Sequence, residues 1–180
     1  ISKIEKRGAF EKNLFLIGYR GTGKTFLGKI IAEKLGRDFV DTDELIIDLA
    51  GKSIPEIFSQ DGEEKFREWE TKALTKACEK EGRIISCGGG VVTQERNFPL
   101  LKTGVVCLLK SNAKTIFDRI YGDGNRPSLT DKDPLEEIVH LLAVRAPLYE
   151  RAKDFEIETS INDHEKYTDE IISKFNEVSN

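Results

Sequence analysis

Gly18-Tyr19-Arg20-Gly21-Thr22-Gly23-Lys24-Thr25 reads G-x-x-x-x-G-K-[ST], the phosphate-binding loop of nucleoside-triphosphate enzymes. Its flanks carry the context that this motif requires. Leu14-Phe15-Leu16-Ile17 before it is a short apolar run suited to a buried parallel strand. After it, Leu27, Ile30, Ile31 and Leu35 recur at helical spacing. Glycines at 18, 21 and 23 let the backbone close on an anion, and the amide N–H groups of the loop and first helical turn point inward. Lys24 adds a point charge within reach of the β- and γ-phosphates, and the Thr25 hydroxyl is the expected protein ligand to Mg²⁺. A glycine-rich turn that binds nothing is the alternative; it leaves the joint register of strand, loop, lysine, threonine and helix unexplained.

Outward from the loop, short apolar runs alternate with longer amphipathic ones. Strands are expected at Leu14–Ile17, Phe39–Val40, Ile84–Cys87, Val105–Leu109 and Phe155–Ile157. Helices are expected at Lys24–Leu35, Glu44–Ala50, Ile54–Ser59, Glu63–Glu81, Gln94–Leu101, Lys114–Tyr121, Pro134–Lys153 and His164–Val178. Such alternation predicts an α/β fold, a five-stranded parallel sheet with helices on both faces. The stretch from Gly122 to Asp133 has no periodicity and is expected to be a mobile functional loop, with an inert surface loop as the alternative.

Three further segments carry chemistry. Asp41-Thr42-Asp43 follows a strand, at the sheet edge where open α/β folds bind ligands. In extended chain the two carboxylates share a side, one for the metal shell and one for a substrate hydroxyl; alternatively Asp43 merely caps the next helix. Gly88-Gly89-Gly90 follows Ile84-Ile85-Ser86-Cys87, so backbone can approach a ligand there, or simply make a tight turn. Arg67, Arg119, Arg126 and Arg145 are each, taken alone, ordinary surface cations; as a set they suit anionic groups, because guanidinium forks match carboxylates and phosphates.

Composition bounds the rest. The 180 residues suit one domain with a real core. A net charge of −4 gives no overall pull toward nucleic acid or anionic membrane, and no apolar run reaches membrane-spanning length. Cys78, Cys87 and Cys107 are odd in number with no C-x-x-C pair, which predicts free thiols and a reducing cytoplasm. His140 and His164 show no metal-ligand spacing and read as ordinary helix residues. The chain opens at Ile1 and holds no methionine, so it is expected to be a piece of a longer polypeptide, with residues 1–12 a tail or linker before a domain at 13–180.

Taken in order from Asn13 to Thr159, these segments resemble the shikimate kinase family of nucleoside monophosphate kinase-like P-loop proteins. The resemblance rests on the phosphate loop, Asp41-Thr42-Asp43, the run from Asp61-Gly62-Glu63 to Phe66-Arg67, Gly88-Gly89-Gly90, Arg126-Pro127 and Arg145-Ala146-Pro147-Leu148-Tyr149. It implies ATP-dependent phosphorylation of the shikimate 3-hydroxyl, with Mg²⁺, by a domain with a mobile lid at about 122–133, and the protein is expected to be a monomer. On the residues present, the resemblance implies that Asp43 orients or deprotonates the attacking hydroxyl and that Arg67 and Arg145 clamp the carboxylate. Gly88, Gly89 and Gly90 would supply backbone contacts, and Phe58 and Phe66 would wall the pocket. ATP falls to Gly21, Thr22, Gly23, Lys24, Thr25, Phe26 and Arg119, the last near adenine. Asp41 would hold Mg²⁺ through water beside Thr25, and Arg126 would swing onto the transferring phosphate. Two departures stand out: Ser128 precedes Leu129 after Arg126-Pro127, and Glu158-Thr159-Ser160-Ile161-Asn162 lacks the proline often found in the adenine loop. Tyr19 and Arg20 occupy variable positions of the family, and no role is read for them. Two other activities remain open at this level: a kinase of the same fold acting on a different small hydroxy acid such as gluconate, and a catalytically inactive regulatory module.

Overall fold

The structure is a computed structural model that describes residues 11–122 and 133–179. Five strands, β1 (Leu14–Ile17), β2 (Phe39–Asp41), β3 (Ile84–Ser86), β4 (Val105–Lys110) and β5 (Phe155–Glu158), form one parallel sheet in the order β2-β3-β1-β4-β5. β1 lies in the middle, paired through Leu16 to Ser86 on one side and Cys107 on the other. Every residue of β1 is buried, the state an apolar run acquires when helices cover both sheet faces.

Alternation along the strands divides the core in two. Leu14 and Leu16 face α1 (Lys24–Leu35) and α7 (His164–Ser179), packing with Leu27, Ile31, Ile171 and Phe175. Phe15 and Ile17 face the opposite layer, α3 (Ile54–Ala77), α4 (Phe98–Leu101) and α6 (Pro134–Ala152), packing with Leu74, Phe98 and Tyr149. Phe15 is fully buried. Phe15→Ala is expected to cost about 3–5 kcal/mol of unfolding free energy, read as a lower denaturant midpoint with an unchanged slope.

Helix boundaries differ from the sequence reading at three places. α2 (Thr42–Ala50) starts at Thr42, because Asp41 is its N-cap: the Asp41 carboxylate accepts from the Asp43 N–H at 2.9 Å. The helices expected at 54–59 and 63–81 are two helical stretches that meet at Gly62, whose backbone is non-helical (φ 86°, ψ 170°), and the second ends at Ala77; together they are α3. The helix expected at Gln94–Leu101 is instead two 3₁₀ turns followed by the single turn of α4, whose start is set by Pro99. Residues 11 and 12 are tied to the end of α1 by Arg37, which pairs with Glu11 and donates to the Lys12 carbonyl. The segment 1–10 and most of the expected lid, including Arg126, lie outside the described residues.

Candidate active site

Because β3 and β1 are neighbours, the loops leaving their carboxyl ends lie side by side. The Cys87 N–H donates to the Leu16 carbonyl at 3.0 Å, which carries β3's pairing up to the point where both chains turn outward. On the other side of β1, the phosphate loop packs against β4 so closely that a Cβ on Gly18 (φ 140°) would stand 2.3 Å from the Leu109 carbonyl oxygen. Glycine is therefore required there by both backbone angle and space. Gly23 caps α1 without any side-chain bond, so the first-turn amides of α1 are available to an anion.

Lys24 is only 8% exposed. Its ammonium donates to the Gly18 carbonyl at 2.6 Å and the Tyr19 carbonyl at 3.0 Å, folding back on its own loop. Burial lowers its pKa to about 8, opposed chiefly by the negative charge of Asp43. Asp43 is shifted the other way: burial raises its pKa, the neighbouring Asp41 adds to the rise, and Lys24 and Arg67 oppose it. Lys24, at the end of the phosphate loop, and Asp43, in the first turn of the helix after β2, are thus both largely desolvated and each acts on the other's charge. A cleft of ≈ 320 Å³ runs between them, lined by Lys24, Thr25, Asp41, Asp43 and the Cys87–Gly89 loop.

The twin carboxylates reach this cleft by a route other than extended alternation. Asp41 ends a strand and Asp43 lies in the first turn of the helix that Asp41 caps, so the helix start folds both back toward the loop. The alternative in which Asp43 is the cap is replaced by one in which Asp41 is. The Thr25 hydroxyl donates to Asp41 Oδ2 at 3.1 Å. A hydroxyl and a carboxylate paired at the mouth of a phosphate loop fit a Mg²⁺ that takes its remaining oxygens from phosphates and water. No cluster of three or more His, Cys, Asp or Glu suited to a metal occurs among the described residues, and a Mg²⁺ shared with phosphates needs none.

A second cleft of ≈ 380 Å³ opens from the first, sharing Arg20, Asp43, Gly88 and Gly89 with it. Phe58, Phe66, Arg67, Gly90 and Arg145 line it. Phe58 and Phe66 stand with ring centroids 4.5 Å apart, Phe58 exposed to the cleft mouth and Phe66 buried. The glycine run is where these side chains meet. A Cβ on Gly88 would stand 3.0 Å from Asp43, on Gly89 3.3 Å from Arg145, and on Gly90 2.2 Å from Arg67. Gly90 thus gives the Arg67 guanidinium room to lie flat on the backbone. The Arg67 Nε is buried without a partner among the described residues.

Several contributors were not singled out from sequence. Glu70, 1% exposed and one helical turn beyond Arg67, accepts from it at 3.1 Å; burial raises its pKa and the Arg67 charge opposes the rise. An acidic residue three places after a clamp arginine on a helix is the available signal. The Thr42 hydroxyl accepts from the Gly88 N–H at 3.2 Å, and the Tyr149 hydroxyl donates to the Gly89 carbonyl at 2.6 Å. These side chains hold the glycine run in place, and long-range bonds of this kind leave no local pattern.

A third cleft of ≈ 240 Å³ lies beyond the loop, lined by Gly21, Thr22, Gly23, Phe26, Arg119, Thr159 and Asn162. Arg119, on α5 (Ala113–Tyr121), donates to the Gly21 carbonyl at 3.0 Å and to the Thr159 carbonyl, joining the phosphate loop to the segment after β5. His164 is more than an ordinary helix residue: it starts α7 and packs on Phe26 with centroids 4.5 Å apart at this cleft's rim. His140 is exposed on α6. Cys87 and Cys107 are buried free thiols whose pKa burial pushes up. No helix among the described residues is long and apolar enough to cross a membrane.

A parallel sheet in this order, a phosphate loop after the central strand and a carboxylate–guanidinium cleft beside it define a P-loop kinase of the nucleoside monophosphate kinase-like class. The family model "SKI: Shikimate kinase" matches residues 20–176. A shikimate kinase of Thermodesulfovibrio yellowstonii is 44% identical over 170 residues, covering 94% of this chain and 98% of that protein. The solved structure of shikimate kinase from Acinetobacter baumannii in complex with shikimate superposes with a TM-score of 0.85 at 35% identity, covering 91% of this chain and 92% of that one. The chain belongs to the shikimate kinase family. A gluconokinase from Sinorhizobium meliloti 1021 superposes with a TM-score of 0.68 at 15% identity over 94% of each chain, a likeness of fold alone.

Proposed function

We propose that the protein transfers the γ-phosphoryl group of ATP to the 3-hydroxyl of shikimate. The observation that carries this reading is the meeting of Asp43, Arg67 and Arg145 at Gly88–Gly90, in a cleft continuous with the one holding Lys24. Shikimate is a small carboxylate bearing ring hydroxyls, and two guanidinium groups with one carboxylate complement it.

In this reading Arg67 and Arg145 take the substrate carboxylate, and Gly88, Gly89 and Gly90 offer backbone. Phe58 and Phe66 cover the apolar ring face. Asp43, made more basic by burial, accepts the proton of the attacking hydroxyl. The new bond joins that oxygen to the γ-phosphorus; the bond to the β–γ bridging oxygen breaks, and ADP leaves. Lys24 turns from its loop carbonyls to the phosphates, where it neutralises the charge that builds up. Gly21, Thr22 and Gly23 cradle the β-phosphate, and Phe26 and Arg119 border the base. Thr25 directly, and Asp41 through water, would hold Mg²⁺, which when bound would supply positive charge against the phosphates. Arg126 is assigned to the transferring phosphate by the resemblance. The three free thiols suit a reducing compartment such as the cytoplasm.

The test is a coupled assay of ADP release with Mg²⁺ and ATP, supplying shikimate, gluconate or a nucleoside monophosphate in separate runs. Turnover that depends on shikimate is expected; turnover with gluconate and none with shikimate would refute the reading. Arg145→Ala should raise KM for shikimate about tenfold or more and KM for ATP less than threefold, since it removes a charged hydrogen bond from one ligand only. Equal loss of both affinities contradicts its place as a carboxylate clamp.

A further inference from the structure

We infer that Tyr19 is a positioning residue: its ring seats Arg145 for the substrate carboxylate and so ties the phosphate loop to the acid subsite. The inference rests on the shikimate reading. The two guanidinium groups of that subsite are held by different means. Arg67 is braced by carboxylates, Glu70 at 3.1 Å and Glu63 at 3.4 Å. Among the described residues none of the ion pairs involves Arg145. Its guanidinium carbon lies 5.6 Å from the centroid of the Tyr19 ring. A cation at this distance is attracted to the negative face of an aromatic ring. A ring takes up no N–H donor, so the Arg145 fork is left for a ligand carboxylate, whereas Arg67 spends donors on its two glutamates.

Tyr19 is itself held fast. It is 4% exposed and wedged against Ile116 of α5 and Ile138 of α6. Its backbone carbonyl accepts from the Lys24 ammonium at 3.0 Å and from the Thr22 hydroxyl at 2.7 Å. One residue therefore carries the acceptor that Lys24 must leave to meet a phosphate and the ring on which Arg145 rests. Occupancy of the loop is felt at Arg145 through this residue, and by linkage the acid is felt at the loop to the same degree. Local sequence does not reveal the arrangement, because Tyr19 and Arg145 are 126 positions apart and meet only through the packing of α6 over the loop.

Calorimetric titration of shikimate into the full chain, as wild type, Tyr19→Leu and Tyr19→Phe, each with and without Mg·ADP, tests this. Wild type is expected to bind shikimate more tightly when Mg·ADP is present. Tyr19→Leu should weaken shikimate about three- to tenfold, the range of a partly desolvated cation–π contact. It should change the affinity for Mg·ADP alone less than twofold, and the effect of Mg·ADP on shikimate should shrink toward none. In turnover its KM for shikimate should rise while kcat stays within about twofold, a split that general loosening of the fold does not produce. Tyr19→Phe, which keeps the ring face, should rescue both readouts. Unchanged shikimate affinity in Tyr19→Leu, or equal weakening of both ligands, overturns the positioning role; a wild type indifferent to Mg·ADP overturns the linkage. If Tyr19→Leu lacks a wild-type melting transition, stepwise-fluorinated phenylalanine at position 19 keeps volume and drains the ring face: affinity should fall with each fluorine, and a flat series overturns the inference. A wild type that binds no shikimate refutes the substrate reading instead, a separate and distinguishable result.

Discussion

Asp43→Asn is expected to lower kcat by about 10²–10⁴-fold with shikimate still bound, because the amide keeps a hydrogen bond to the ring hydroxyl and cannot take its proton. The environment of Asp43 supports the role. Burial raises its pKa above the ordinary 3.8, with Asp41 adding to the rise, so the carboxylate is a stronger base than a solvated one. The sign of the pH effect follows: activity requires the deprotonated form, so kcat/KM should fall as pH drops through a value above 3.8. Asp43→Asn should abolish that acidic limb along with most of the rate. Single-turnover measurement across pH 4–7 separates the outcomes; retention of the limb in the variant would place the titrating base elsewhere.

Lys24→Ala is the second large effect, with kcat reduced about 10²–10³-fold, the scale of removing one charged donor from a developing oxyanion. The fold should survive, because the lysine's bonds are to carbonyls of its own loop and its loss exposes no core. A pH effect accompanies it. Burial lowers the Lys24 pKa to about 8, so the ammonium that phosphate needs is lost as pH rises through 8. Nucleotide affinity of wild type should weaken between pH 7.5 and 9.5. Lys24→Arg, charged throughout that range, should bind with less pH dependence even if it turns over poorly. Parallel pH profiles for wild type and Lys24→Arg would assign the basic limb to another group.

Much of the fold was legible because its signals are local. The strand of Leu14–Ile17, the octet after it and the helix that follows are contiguous, and period and composition suffice to place them. The five strands came from apolar runs that only a doubly covered sheet can bury, and all five occur in the structure within two residues of expectation. Where the reading slipped, a nonlocal or conformational choice was involved. Asp41 rather than Asp43 caps α2, which put Asp43 on a helix and still turned it toward the loop. Pro99 restricted the helix before β4 to a single turn after two 3₁₀ turns.

The site divides the same way. Lys24, Thr25 and the loop glycines were readable as a unit, since one loop brings them together. Arg67 and Arg145 were readable as chemistry and as a family resemblance, while their common address at Gly89–Gly90 depended on strand order. Glu70, Thr42, Tyr149 and Tyr19 were missed as partners because each acts across a packed interface rather than along the chain.

From the sequence alone came a parallel α/β fold, a loop built for a nucleoside triphosphate, and the set of acids and guanidinium groups that suits a small hydroxy acid. These follow from residue type and short-range spacing, which fix how backbone angles and apolar faces are used. Tertiary structure decided which groups share a desolvated space: the start of α2, folded back from β2 toward the loop, sets Asp43 against Lys24, where burial shifts both groups, and α6 over the loop sets Arg145 on Tyr19. Burial and the distances between charges arise only when distant segments pack, so no stretch of chain carries them by itself.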